Sequence, residues 1–340
     1  MNRRDLIASL GTAGLASAQK MILDTKSYPA MGELVLDDAA FSKLFPAGAR
    51  LEVIASGFDW TEGPVWDRWN EWLLFSDVPQ NTVYRWREGI GVDVYLKPSG
   101  YTGRVNYVNG LGSNGLAFDA RGRLVSCEHG DRRISALEHE GGKRTLTDNY
   151  QGKRYSSPND LCIKSNGDIY FTDPPYGLPN QGEDTRRELP YSGVFLLRAS
   201  GEVVLLTQEL ARPNGIALSP DEKTLYVANS DAKKALWMAY PVEASGTLGA
   251  GRVVADVTSM VSQHKGLPDG MKVDKNGNLW ASGPGGIHVM TPTGKRLGRI
   301  ETYQASANCA WGGAGGSVLY VCADMYLCRI QTATSGANWR

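Results

Sequence analysis

Cysteine is scarce, with five in 340 residues (127, 162, 309, 322 and 328), and no pair has the CxxC spacing of a metal site. The odd count leaves at least one thiol free in a single chain. Most read as small buried hydrophobes, and only Cys322 and Cys328 stand where they could face each other across a hairpin. Neither sign of charge is in excess, since 36 basic residues balance 36 acidic ones. That balance removes any electrostatic case for nucleic acid or an anionic membrane surface. Beyond the first twenty residues no run is long and apolar enough to span a bilayer. There is no GxSxG and no Ser-His-Asp pattern, so a covalent acyl-enzyme is not expected. Histidine is also rare, at four residues, and His139, His264 and His288 have no partner pattern and read as structural or exposed.

Glycine, by contrast, is abundant at 40 residues, beside nine Trp and fifteen Tyr, which suits many strands and tight turns. With 42% hydrophobic residues the chain can bury a full core. Residues 1–18 have the form of an export signal. Arg3-Arg4 precedes a short apolar stretch, and Ala16-Ser17-Ala18 before Gln19 resembles a signal-peptidase site. The arginine pair resembles a twin-arginine leader, although Asp5 interrupts the pattern, and it implies delivery to a bacterial periplasm; the alternative is an unremarkable tail on a cytoplasmic protein. An extension over 19–49 follows, then a repeating region over 50–333 and a tail over 334–340.

The repeat places one polar residue before an apolar pair, six times: Glu62-GPVWD, Asn114-GLAFD, Asn159-DLCIK, Asn214-GIALS, Asp269-GMKVD and Asn308-CAWGG. A second strand follows each (LLFSD, RLVSCE, DIYFTD, TLYVAN, NLWASG and VLYVCA), most of them linked by turns such as DARG, KSNG and DKNG. A third strand comes next. The six anchors lie 39 to 55 residues apart by position, the period of propeller blades. The expected fold is therefore all-β, a six-bladed β-propeller with a central metal site. RLEVIAS (50–56) has no blade of its own and is expected to supply the outer strand of the last blade, closing the ring.

In that architecture the anchors converge on one axis. Taken singly, Asn-Gly and Asp-Gly are turn dipeptides. A ring holding two carboxylates and several amide oxygens is not explained by turns, and Glu is a poor turn former. Carboxylates gathered in a channel raise one another's pKa unless a cation or proton lies between them. The donors are hard oxygens, which suit one divalent cation, Ca²⁺ foremost, with Mg²⁺, Mn²⁺ or Zn²⁺ as alternatives. The same rim carries Asp77, His129, Asp173, Tyr176 and Asn229, and the insertion 176–193 leaves from it as a lid. Asp131-Arg132-Arg133 reads as a solvated loop rather than an anion clamp.

The segments TEGPVWD, SSPNDLCIKSNGDIYFTDPPYG, RPNGIALSPDEKTLYVANSD and GLPDGMKVDKNGNLWASGPGG, in this order, resemble the senescence-marker-protein, gluconolactonase and luciferin-regenerating-enzyme family over about residues 50–330. The resemblance implies a six-bladed propeller with one divalent cation in its channel and activity on lactones of sugar acids. It implies Glu62, Asn214 and Asp269 as metal ligands, with Asn159 reaching the metal or binding substrate beside it. Ser157 stands where animal members carry a sugar-holding arginine, which separates the substrate pocket from theirs.

These readings together describe a metal-dependent lactonase for a sugar-acid lactone such as gluconolactone. Asp269 is expected to act as general base, Asn159 and Asn114 to orient water and substrate, and His129, Tyr176 and Asn229 to meet sugar hydroxyls. The partner is then a small-molecule lactone, with no role for nucleic acid or membrane, and the oligomeric state is not readable. Two alternatives stand beside it: a non-catalytic sugar- or protein-binding propeller, and another metal-dependent hydrolase or lyase acting on a sugar derivative.

Overall fold

The computed structural model describes residues 28–337, so the arginine pair and Ala16-Ser17-Ala18 lie outside the described residues. Six antiparallel sheets follow one another in chain order. The innermost strands are Thr61–Asp67, Ser113–Phe118, Leu161–Ile163, Pro213–Leu218, Met271–Val273 and Ser306–Gly312, and each packs against the next around the axis. The expected six-bladed propeller is therefore present, and its ring closes as anticipated. Glu52–Ser56 pairs antiparallel with Tyr326–Gln331 as the outer strand of blade six.

A further N-terminal strand was not foreseen. Glu33–Leu36 adds a fifth strand to blade five, with Glu33 opposite Glu301 and Leu36 opposite Gly298. The N-terminal region thus laces two adjacent blades. A short ribbon, Asn149–Tyr150 with Lys153–Arg154, also stands on the rim between blades two and three.

The core is divided into six apolar clusters, one in each gap between neighbouring blades. Because both faces of a blade are covered, its middle strands are apolar on both sides. In blade one Leu73 and Phe75 face blade six while Leu74 faces blade two. The same alternation decides the cysteines. Cys322 lies opposite Leu327 and faces blade one, whereas Cys328 lies opposite Val321 and faces blade five. They occupy opposite faces of one sheet and all five cysteines are free thiols, which corrects the hairpin pairing considered above.

The glycine after most anchors has a packing role. A Cβ at Gly63 would stand 1.9 Å from the Asn114 carbonyl oxygen, and one at Gly215 would stand 2.1 Å from that of Asp269. The inner strands approach too closely there for any side chain. Blade three departs from the pattern, because Asp160 takes the place that glycine holds in its neighbours.

Candidate active site in the channel mouth

Four of the anchors interrupt their strand with a β-bulge, between Glu62 and Val65, Ser113 and Leu116, Pro213 and Ile216, and Ser306 and Asn308. A bulge re-aims a side chain, and here it turns the anchor toward the axis. The loop entering the anchor strand is fixed by the last residues of strand two. Asp77 accepts from the Asp59 and Trp60 amides, and Asp173 from those of Ser156 (2.8 Å) and Ser157 (2.7 Å). Asn229 has the same position in blade four. Its Oδ1 accepts from Arg212 N (3.0 Å) and its Nδ2 donates to Lys234 O. Both ends of Asn229 are thus committed to backbone, and it does not line the channel, which corrects its expected contact with a sugar hydroxyl. Its neighbour Ser230 lines the mouth instead.

Glu62, Asn114, Asn159, Asn214 and Asp269 meet at a cavity of about 620 Å³, with His129, Tyr176 and Ser230 on its wall. Trp60, Val78 and Leu267 supply apolar surface, and Asn109 and Gly110 reach it from the long loop before blade two. Glu62 Oε2 accepts from Gly63 N (2.9 Å) and Asn308 Nδ2 (3.2 Å). Asn308, the sixth anchor, therefore supports Glu62 and does not line the cavity.

Two of the amides are oriented by the wall. Asn214 Nδ2 donates to Ser230 Oγ (2.9 Å), and the Ser230 hydroxyl donates in turn to Pro268 O. Asn159 Nδ2 lies 3.4 Å from His129 Nε2, while His129 Nδ1 lies 3.1 Å from Gly110 O. This chain requires the Nδ1–H tautomer of a neutral imidazole. Burial keeps it neutral, lowering His129 to about 4. Both amides give their NH₂ to the wall and present oxygen to the cavity. Among the described residues, Asn114 Oδ1, Asn159 Oδ1, Asn214 Oδ1 and Asp269 Oδ1 are all buried without a hydrogen-bond partner. Buried polar atoms are ordinarily satisfied, so four orphaned oxygens around one cavity fit a bound cation. Among the described residues no three His, Cys, Asp or Glu side chains gather as a metal cluster. The donor set here is two carboxylates and three amides.

Burial pushes Glu62 up to about 7, with the Asp160 charge adding to the rise. Burial and then the Glu62 charge drive Asp269 well above the usual carboxylate range. Asp160 itself was missed in the sequence. It is buried, its Oδ1 accepts from Leu161 N (2.9 Å), and the Ile216 amide and the Asn308 side chain favour its charged form. Lys272 offsets these charges from the inner strand of blade five, donating to Met271 O (3.0 Å). The one available signal for Asp160 was its replacement of glycine in the repeat.

Tyr176 lines the mouth with its ring 5.8 Å from the Arg212 guanidinium, and burial raises its phenol to about 12. Ser157 does not face the cavity. Its hydroxyl donates to Pro174 O (2.6 Å) and accepts from Gly177 N (2.8 Å), tying down the base of the 176–193 insertion.

A family model described as the SMP-30/Gluconolactonase/LRE-like region matches residues 60–324. The gluconolactonase of Zymomonas mobilis is 37% identical over 339 residues, covering 97% of this chain and 95% of that protein. A pentonolactonase of Haloferax volcanii is 27% identical, covering 76% of this chain and 80% of that protein. Among solved structures, a gluconolactonase from Xanthomonas campestris superimposes with a TM-score of 0.78 at 34% identity, covering 90% of this chain and 98% of that one. The chain belongs to the SMP-30/gluconolactonase/LRE-like family.

Proposed function

We propose that the protein is a metal-dependent hydrolase that opens the lactone ring of a sugar acid, with gluconolactone as the model substrate. Similarity to gluconolactonases over nearly the whole chain supports the reaction class. The observation that carries the site assignment is the set of four orphaned oxygens beside Glu62. Glu62, Asn214 and Asp269 are the residues that would hold a divalent cation, Ca²⁺ foremost, with Asn159 a fourth oxygen or a substrate contact. When bound, the cation supplies Lewis acidity toward the lactone carbonyl and balances the buried carboxylates.

The chain's own residues do the rest. Asp269, which lines the cavity from the start of blade five, takes a proton from the attacking water. The oxygen of that water bonds to the carbonyl carbon, the ring C–O bond breaks, and the leaving alkoxide takes up a proton to give the open hydroxy acid. Asn159, held by His129, and Asn114 orient water and substrate with their amide oxygens. Tyr176 and Ser230 are placed to meet sugar hydroxyls, while Trp60 and Leu267 exclude water from the mouth.

The test is hydrolysis of an aldonolactone panel, followed with a pH indicator, using metal-stripped protein with and without Ca²⁺, Mg²⁺, Mn²⁺ or Zn²⁺. Metal-restored turnover that is lost in Glu62→Gln supports the reading. Turnover of no lactone by a protein that still binds a cation would overturn it in favour of a binding propeller.

A further inference from the structure

The Asp131-Arg132-Arg133 segment is not the solvated loop its sequence suggests. Arg132 adopts a left-handed backbone (φ 58°) and is 6% exposed. Its Nε donates to Tyr155 O (2.6 Å), its Nη1 makes a long ion pair (4.0 Å) with the half-exposed Glu188, and its Nη2 is buried with no partner among the described residues. This guanidinium lines a second cavity of about 480 Å³ on the same rim as the channel, on the far side of Gly130.

Three more arginines line that cavity: Arg133, Arg154 and Arg186. Two of the four are neutralised. Arg133 pairs with Glu128 (2.6 Å) and Asp131 (3.3 Å), and Arg186 pairs with Asp184 (3.0 Å) while its guanidinium sits 4.4 Å from the Tyr107 ring. Arg154 has no ion pair among the described residues, and its Nη2 donates only to the Asp131 carbonyl (2.8 Å). The facing carboxylates also accept from neutral donors. Asp131 accepts from Thr102, Asp148 from Asn149, and Glu188 from the Arg154 amide. A nine-tenths-buried guanidinium with a free nitrogen and only one long ion pair, beside Arg154 with none, is costly unless an anion completes it.

We propose that this cavity is a binding subsite for a phosphate group, free or carried on a sugar. Arg154, without an ion pair among the described residues, and Arg132, whose carboxylate partner Glu188 lies 4.0 Å away, offer planar N–H forks that match phosphate oxygens. Burial and the Arg154 charge both lower the pKa of Arg132, in keeping with a site that gains an anion. The cavity is built from blade two, the loop containing Tyr101 and Tyr107, and the insertion that carries Leu178 and Arg186. A bound phosphate therefore ties that insertion to the blade beside the channel mouth. The subsite does not depend on what the channel hydrolyses.

The test is calorimetric titration of the whole chain with inorganic phosphate and with glucose 6-phosphate, against chloride at matched ionic strength. Saturable phosphate binding is expected, weakened at least tenfold in Arg154→Gln and in Arg132→Gln. Arg154 is exposed, so its variant folds and decides the matter even if the Arg132 variant does not. Tighter binding of the sugar phosphate assigns the subsite to a phosphorylated sugar, and equal binding assigns it to phosphate alone. Heats no different from chloride, or an affinity unchanged in Arg154→Gln, would overturn the proposal. Lactone hydrolysis by Arg154→Gln at the parent rate keeps this result separate from the fate of the channel chemistry.

Discussion

At the scale of single residues, burial of charge governs both activity and pH response. Asp269→Asn removes a proton acceptor and a ligand charge together, so kcat for aldonolactone hydrolysis should fall by about 10²–10⁴-fold or more. A variant within threefold of the parent would remove Asp269 from the base role. Asp173 tests the same physics away from the cavity. Burial raises it from 3.8 to about 7, against hydrogen bonds from Ser156 and Ser157. Below its unfolded pKa both states are protonated, and its contribution is fully present. As pH climbs toward 7 the unfolded state releases the proton first, so the folded state loses stability. Asp173→Asn abolishes this slope while keeping one acceptor for the two amides. The difference in Tm, variant minus parent, should therefore rise steadily from pH 4 to pH 7. A flat difference would mean that Asp173 titrates normally. His129 and His288, both lowered to about 4 by burial, act in the opposite sense, but they are common to both proteins and cancel.

At the scale of elements, the inner strands position the site because they touch. Gly215→Ala would place a methyl 2.1 Å from the Asp269 carbonyl oxygen and 2.6 Å from the Gly270 Cα. Both contacts are backbone, so blades four and five must separate, at about 1–3 kcal/mol. Asp269 moves with them, and Tm and kcat should fall together. Ser157→Ala acts on the insertion instead, leaving Pro174 O without its donor and Gly177 N without its acceptor, at about 1–3 kcal/mol for the buried groups. Its KM should rise more than its kcat falls, because Tyr176 is freed while Asp269 is untouched. Equal effects on both constants would show that the insertion does more than hold Tyr176. These contrasts also show what the sequence made legible. The anchors and second strands were readable because six copies repeat a pattern, and so was the outer strand of blade six, as an unmatched segment that a closed ring needs. Asp160, Lys272 and Ser230 were not, since the fold brings their partners to them: Lys272 acts on Asp160 and Glu62 from across the channel, and Ser230 holds Asn214. Asn229 was misplaced by one residue of strand alternation: it faces the backbone of its own loop while Ser230 faces the cavity. Glu33–Leu36 carried no repeat signal, because among the described residues a fifth outer strand occurs in blade five alone.

At the scale of the whole molecule, the N-terminal region has two proposed tasks. We propose that residues 1–18 direct export to the periplasm. N-terminal sequencing of protein recovered from that compartment should then begin at Gln19, and an intact Met1 or recovery only from the cytoplasm would sink the idea. The second task concerns the closed ring. A propeller whose last blade ends on an earlier segment is fastened by that pairing, and here Glu52–Ser56 covers Tyr326–Gln331, placing Val53 opposite Cys328 and Ala55 opposite Leu327. Glu33–Leu36 performs the same service for blade five, and Leu34 and Val53 both pack against the apolar cluster between blades five and six. Loss of these strands exposes one edge in each of two adjacent blades, and unpaired edges invite association. A chain beginning at Tyr28 keeps both strands, whereas one beginning at Gly57 lacks both. The first should unfold in a single calorimetric transition with calorimetric and van't Hoff enthalpies equal. The second should aggregate or melt in two steps, blades five and six opening before the rest. A Gly57 chain that melted once, at the same temperature as the Tyr28 chain, would show that blade-to-blade packing closes the ring without the N-terminal strands.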